Sequence, residues 1–325
     1  EIRTFKCKDV DGFYTESFEF VLDAGQRKIS LESKSQNCVI TKVVLYPQES
    51  YDTFEQFDNK QSAKSNGTDV VKIECEFPFA TSSQTVYPIE DSSSAATSPA
   101  DTTRTVLNTI GGEKWQTSGQ WVRYSFQVNA SGLYQIVPRF RQNVNDGIFS
   151  SRILSIYSGE GVNPGESGYY NGIPFEEASN FRFGYATDWQ TAPLTFAKKT
   201  TDSKGNIVWE EYETRFYFKE GVTYTLEFEV ALGDMGEIVS SVSTSLSNIN
   251  SYYLNILKLT GADPDQYIDY GFYRIMPDTM QGLIVESRRL YNIAEELKNI
   301  AGAKSSNVAT LERIAWLLEE MGTDE

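Results

Sequence analysis

The chain has 325 residues, enough for two or three separately cored domains, and its net charge of −16 argues against nucleic acid and anionic lipid surfaces as partners. It contains no histidine, which removes the commonest general base, the Ser-His and Cys-His nucleophile pairs and most transition-metal sites. Carboxylate pairs still permit glycoside hydrolysis, but a non-catalytic role is the expectation.

Residues 17–47 read as a short β meander. Residues 17–22 alternate, 23–26 form a hairpin turn, 28–33 alternate again, and a third run over 38–46 closes at Pro47. Three strands present one apolar face and too little material to cover it. Residues 1–60 are therefore expected to be the C-terminal strands of a first, truncated β-sandwich plus a linker. Cys7, Cys38 and Cys75 lie in strand-like runs without metal-site spacing and read as buried small hydrophobes. The chain opens on Glu1-Ile2-Arg3 without a signal peptide, and no run approaches the roughly 18 apolar residues of a membrane span. These features fit either a cytosolic protein or a mature or excised fragment of a longer extracellular one that does not itself enter the membrane, and the fragment is the expectation.

Residues 50–68 are polar, and 56–67 lack periodicity and read as linker. The main domain is expected over 69–236. Its strand candidates are 70–77, 121–128, 132–142, 151–157, 214–218 and 223–231, separated by turn signals such as Asn145-Asp146-Gly147. Strand follows strand with no helical period between them, which predicts an antiparallel β-sandwich of jelly-roll type. The Gly- and aromatic-rich stretch 157–211 reads as a long decorated loop, the kind of place where binding resides on a sandwich.

From residue 237 the period becomes helical. Ile238, Val242, Leu246, Ile249, Tyr253 and Ile256 form one stripe. Asp278 is the expected cap of a second helix carrying Leu283, Leu290, Ile293 and Leu297; Ser306 is that of a third carrying Val308, Leu311, Ile314 and Leu318. The expected fold is thus mostly β: an antiparallel jelly roll, preceded by strands of a truncated sandwich and followed by an α-helical region over 237–325.

Three runs carry a family likeness: Asn108 through Gly111-Gly112 to Trp115, then Gly119-Gln120-Trp121-Val122-Arg123-Tyr124, then Gly132-Leu133-Tyr134-Gln135-Ile136. Their succession resembles carbohydrate-binding module families 6 and 35. Glu74 and Glu76 match the acidic pair of those families, which implies a structural calcium ion. A wider match takes in residues 25–47, Arg141-Gln142-Asn143, Gly172-Ile173-Pro174-Phe175-Glu176, and Tyr185 to Trp189. This order is similar to the non-transporter region of large extracellular solute-binding proteins of Gram-positive carbohydrate ABC importers. The resemblance implies non-catalytic glycan binding at a bacterial cell surface. It also implies an oligo- or polysaccharide partner and neighbouring domains of a longer surface protein. The insert between 157 and 214 and the helical tail depart from the simple modules.

Candidate sugar contacts are the rings of Trp115, Tyr169, Tyr170 and Trp189, with Gln142, Asn143 and Asp146 as polar readers beside them. Rings stack on the apolar face of a pyranose while amides and carboxylates orient its hydroxyls. Rings that anchor their own loop give the same pattern, and turn chemistry accounts equally for Asn145-Asp146-Gly147. Trp121 alternates with Val122 and reads as core. Glu74 and Glu76 share a strand face, where two like charges repel unless a cation such as calcium neutralises them or the strand is a solvated edge. The acidic run Asp263, Asp265 and Asp269 reads as a helix connector. A structural or spacer region is the rival reading.

Overall fold

The computed structural model describes residues 7–14, 16–32, 39–47, 50–94, 97–101, 103–201, 203, 205, 207–265, 267–301 and 305–323. Helix α1 spans Phe54–Gln61 and strand β1 Ala80–Thr81. There follow β2 (Trp121–Phe126), β3 (Gly132–Tyr134), β4 (Arg139–Phe140), β5 (Phe149–Ser158), β6 (Asn171–Gly172), β7 (Phe181–Gly184) and β8 (Gln190–Thr191). The β region closes with β9 (Thr195–Thr201), β10 (Ile207–Glu213), β11 (Phe216–Phe218) and β12 (Tyr224–Ala231). Helices α2 (Met235–Thr260), α3 (Phe272–Ile275), α4 (Pro277–Ala301) and α5 (Ser306–Thr323) complete the chain. The expected class is found: antiparallel sheets followed by a helical region.

The main sheet runs β1-β2-β12-β5-β6, with β7 also paired to β5. Strand β12 is its spine, matching Leu226 to Tyr124 on one side and to Ile156 on the other. Alternation turns Tyr124, Leu226, Leu154 and Ile156 to the interior, where they are almost fully buried. There Leu154, Ile156 and Leu226 meet Phe175, Phe181, Phe196, Phe216 and Phe218 in the main core, while Tyr124 packs with Val86 and Val122 in a smaller cluster. Trp121, expected in the core, belongs to the opposite alternation and stacks its ring 4.2 Å from the Arg123 guanidinium.

Two stretches read as irregular are structured. The insert 157–211 contributes β6, β7, β8, β9 and most of β10, and it buries Tyr170, Phe175, Phe181, Leu194 and Phe196. Its β9–β10 hairpin pairs Thr201 with Ile207 through Thr195 with Glu213. The supposed linker 56–67 contains most of α1. Thr53 and Gln56 form a reciprocal capping box, each side chain accepting the other's backbone N–H. The helix then inserts Phe54 and Phe57 among the core rings, with centroids 5.4 and 4.9 Å from that of Phe175.

Other expected strands do not form. Residues 70–77 make no regular strand, and Phe77 N instead bonds Glu74 O in a turn. The run 132–142 breaks at Pro138, which lacks a backbone donor, so β3 pairs with β11 while β4 pairs with β8. Among the described residues of 18–47 there is no helix or strand, and Phe20, Val21, Leu31, Val39 and Leu45 are all exposed. Cys7 and Cys75 are exposed free thiols rather than buried hydrophobes. Cys38 lies outside the described residues.

In the helical region α2 runs antiparallel to α4, with Asn255 against Thr279, the Tyr252 ring beside Gly282, and Asn248 donating to Glu286. Helix α5 runs antiparallel to α4 in turn, with Gly322 close to Ile284 and the Ser287 hydroxyl donating to Ala315 O. Leu283, Leu290, Leu297, Val308 and Leu318 fill the interior. Helix α4 starts at Pro277, so Asp278 sits in its first turn rather than at the cap. The connector holds Asp265 and Asp269, which accept from Tyr267 N and Gly271 N as turn-capping residues.

The sheet is fixed to the helices at residues 232–235. Asp234, at the head of α2, bonds both Arg182 and Asn180. The Arg182 guanidinium lies between Phe149 (4.3 Å) and Trp209 (4.4 Å). Gly233 has φ of +54, and a Cβ there would strike Asn180.

Candidate functional site

The four rings expected to bind sugar are each engaged by their own part of the chain. Tyr170 is core: it is 7% exposed, and its ring packs against Phe57, Phe218 and Tyr224. Its hydroxyl donates to Tyr217 O and accepts from Tyr217 N, so it offers a ligand neither a face nor a free polar edge. This corrects the expectation for Tyr170. Tyr169 is half-buried and leans on the same core. Trp115 donates from Nε1 to Gln120 O at 3.1 Å, and the Arg152 guanidinium covers its ring at 4.5 Å. Trp189 is half-buried against the Arg141 guanidinium, 5.3 Å from its ring centre.

Four of the seven expected contacts converge. The β4–β8 pairing sets Phe140 opposite Gln190, and Ala186 N donates to Gln142 O at 2.7 Å. Trp189 therefore lies beside the turn that carries Gln142, Asn143 and Asp146. Gln142 is 8% exposed and spends its whole amide on that turn. Its oxygen accepts from Val144 N and Asn145 N, and its nitrogen donates to Asn145 O and Ile148 O. Gln142 is thus the internal brace of the turn, not a reader of hydroxyls. Asn143 and Asp146 are exposed at its crest. Gly147, with φ of +69, lets the same turn approach Ser305 between α4 and α5.

Beneath the ring of Trp189 lies an ion pair that the sequence did not announce. Arg141 donates to Asp91 at 2.6 Å and to the Ser93 hydroxyl. Burial works to raise the Asp91 pKa, but the Ser93 hydrogen bonds and the Arg141 charge hold it below the usual carboxylate range. Asn108 ties this loop down by donating to Asp91 O and Pro99 O and accepting from Asp91 N. The only sign of this group in the sequence was Arg141 itself. The rim that results is a tryptophan face on a fixed arginine, flanked by an exposed amide and an exposed carboxylate.

Glu74 and Glu76 do not share a strand, because none forms there. Glu74 pairs with Lys72. Glu76 is 3% exposed, its Oε1 is buried without a partner, and burial raises its pKa, with Glu74 adding to the rise. Calcium takes about six to eight oxygens, and among the described residues no group of three His, Cys, Asp or Glu is placed to hold a metal. The orphaned Glu76 oxygen is the one feature here that fits a cation.

Residues 237–325 match the family model described as "Bacterial solute-binding protein, 4-helix bundle domain". The match covers the helical region and supports a protein of solute-binding type, in the context of an ABC importer and an extracellular or surface location. No curated protein matches the chain. No described helix is long and apolar enough to cross a membrane.

Proposed function

We propose that the chain is the glycan-holding region of a bacterial surface solute-binding protein, without chemistry of its own, that serves an ABC sugar importer. The observation that carries this reading is the solute-binding match over 237–325, in a helical unit fixed to the β region by the Arg182–Asp234 pair. The sugar would rest on Trp189 with Asn143 and Asp146 at its edge; stacking supplies affinity and the polar groups orient hydroxyls. Arg141 holds the ring in place, so little order has to be created on binding. An oligo- or polysaccharide and other domains of a longer surface protein are the partners in this reading. Calcium at Glu74 and Glu76 has a structural part.

A glycan array probed with the purified chain tests this. Binding to at least one oligosaccharide, lost in Trp189→Ala and weakened in Asn143→Ala, is the expected result. An array with no binder overturns the glycan reading altogether. A second reading, that the chain is a spacer between other domains, is favoured by the internal engagement of Trp115 and Tyr170. Under that reading Trp189→Ala changes the melting temperature and nothing else.

A further inference from the structure

Helix α1, missed by sequence periodicity, forms one wall of a cavity of about 360 Å³ that the rim does not share. Its lining includes Asp58 and Gln61 on the helix, Lys64 and Asn66 just after it, and Arg215 just before β11. The volume lies at the lower end of the roughly 300–1,000 Å³ typical of small-molecule sites.

The walls are fixed before any ligand arrives. Gln61 Oε1 accepts from Tyr217 N at 2.8 Å, which locks the end of α1 to β11. Leu133 N donates to Ser65 O and Gly67 N donates to Leu133 O, both at 2.9 Å, so the chain around Asn66 is bonded to β3. The C-terminal carbonyls of α1 are closed as well: Gln61 O accepts from Lys64 N and Asn59 O from the Ser62 hydroxyl, both at 2.9 Å. Lys64 lies over the Tyr217 ring, with Nζ 5.1 Å from its centre.

Charge gives the cleft its selectivity. Neither Lys64 nor Arg215 has a carboxylate at ion-pair distance among the described residues. Asp58 is the one acidic residue in the lining, so the cleft carries a net positive charge on a chain of net charge −16. Two cations with no carboxylate partner among the described residues draw an anion in such a field, and a guanidinium reads a carboxylate through paired parallel hydrogen bonds. Asn66 and Asp58 in the same lining, with hydroxyls from Ser62 and Ser65, suit a neighbouring polyol.

We propose that this cleft binds a saccharide bearing a carboxylate, with Arg215 and Lys64 on the acid group and Asn66 and Asp58 on the hydroxyls. The proposal rests on the saccharide reading of the chain but not on the rim around Trp189. The test is isothermal titration of the full chain with trigalacturonate and with galactotriose as its neutral counterpart. Trigalacturonate is expected to bind with an affinity that falls as salt rises, and to bind at least about tenfold more weakly in Arg215→Met. Lys64→Met should weaken it further, and Trp189→Ala should leave it unchanged. Arg215 is exposed, so melting curves should show Arg215→Met folded as the wild type is. Three results overturn the proposal: no binding of trigalacturonate, equal binding of galactotriose, or binding indifferent to Arg215→Met. Loss of all saccharide binding in Trp189→Ala with Arg215→Met unaffected overturns the cleft alone and leaves the rim standing.

Discussion

Residues 18–47 and helix α4 are both rich in regularly spaced apolar side chains, yet the described part of the first leaves them in solvent while the second buries its leucine stripe. A helix satisfies its own backbone, so an apolar stripe needs only one neighbouring stripe to be covered. Helix α4 finds two: its Leu283, Leu290 and Leu297 are 2–4% exposed between α2 and α5. A strand needs a partner edge for its backbone and a second layer for its face. The described residues of 18–47 have neither, and Leu31 and Leu45 are 64% and 60% exposed. Apolar spacing of this kind is self-sufficient in one secondary structure and dependent on a second layer in the other.

The sharpest break of this contrast is a pair of leucine truncations. Leu290→Ala should cost about 2–5 kcal/mol, since it opens a cavity among side chains that cannot fully collapse. Leu31→Ala should change stability by less than about 0.5 kcal/mol in this chain, because nothing covers it. Urea denaturation followed by circular dichroism at helical and sheet wavelengths measures both. Equal costs would mean that residues 28–32 are covered in solution and that the contrast is false.

A smaller effect probes the element that escaped the sequence reading. Thr53→Ala removes one half of the capping box and should destabilise the fold by about 1 kcal/mol, read from the same denaturation curves. Its consequence should reach the core, since α1 delivers Phe54 and Phe57 to it. The Thr-x-x-Gln signature at 53–56 stood in the sequence, but eight helical residues carry too few turns for periodicity to register. The long helices were legible because their stripes repeat over several turns, and the antiparallel sheet because its strands follow one another without a helical period. The candidate site was less so. Asn143 and Trp189 were each legible as a polar or an aromatic group in a loop, but the two-residue β4–β8 ladder that brings their loops together is too short to read. Burial of Tyr170 depends on Phe57 and Phe218, distant in sequence. The brace formed by Gln142 depends on a turn whose Asn-Asp-Gly signal said nothing of the residue before it. Trp121 reads as core because it alternates with Val122, but alternation alone does not say which face is the interior, and it is Val122 and Tyr124 that are buried.

The smallest expected effect concerns Glu76, which sits between the two regimes: it lies outside regular structure, yet it is buried. In the folded chain burial raises its pKa, with the Glu74 charge adding to the rise. Below the ordinary glutamate range the carboxyl is protonated in both states and costs nothing. As pH rises through that range the unfolded chain ionises first, while the folded chain still holds its proton, so the folded state loses stability until its own raised pKa is passed. Glu76→Gln cannot ionise and should flatten this fall, leaving the variant more stable than the wild type at neutral pH without calcium. Adding calcium should raise the melting temperature of the wild type, by giving the buried oxygen a partner, and should leave Glu76→Gln unmoved. Melting curves across mildly acidic to neutral pH, with calcium and with a chelator, separate the outcomes. A fall removed by Glu76→Gln but untouched by calcium would make Glu76 a buried acid that carries its own proton, not a ligand.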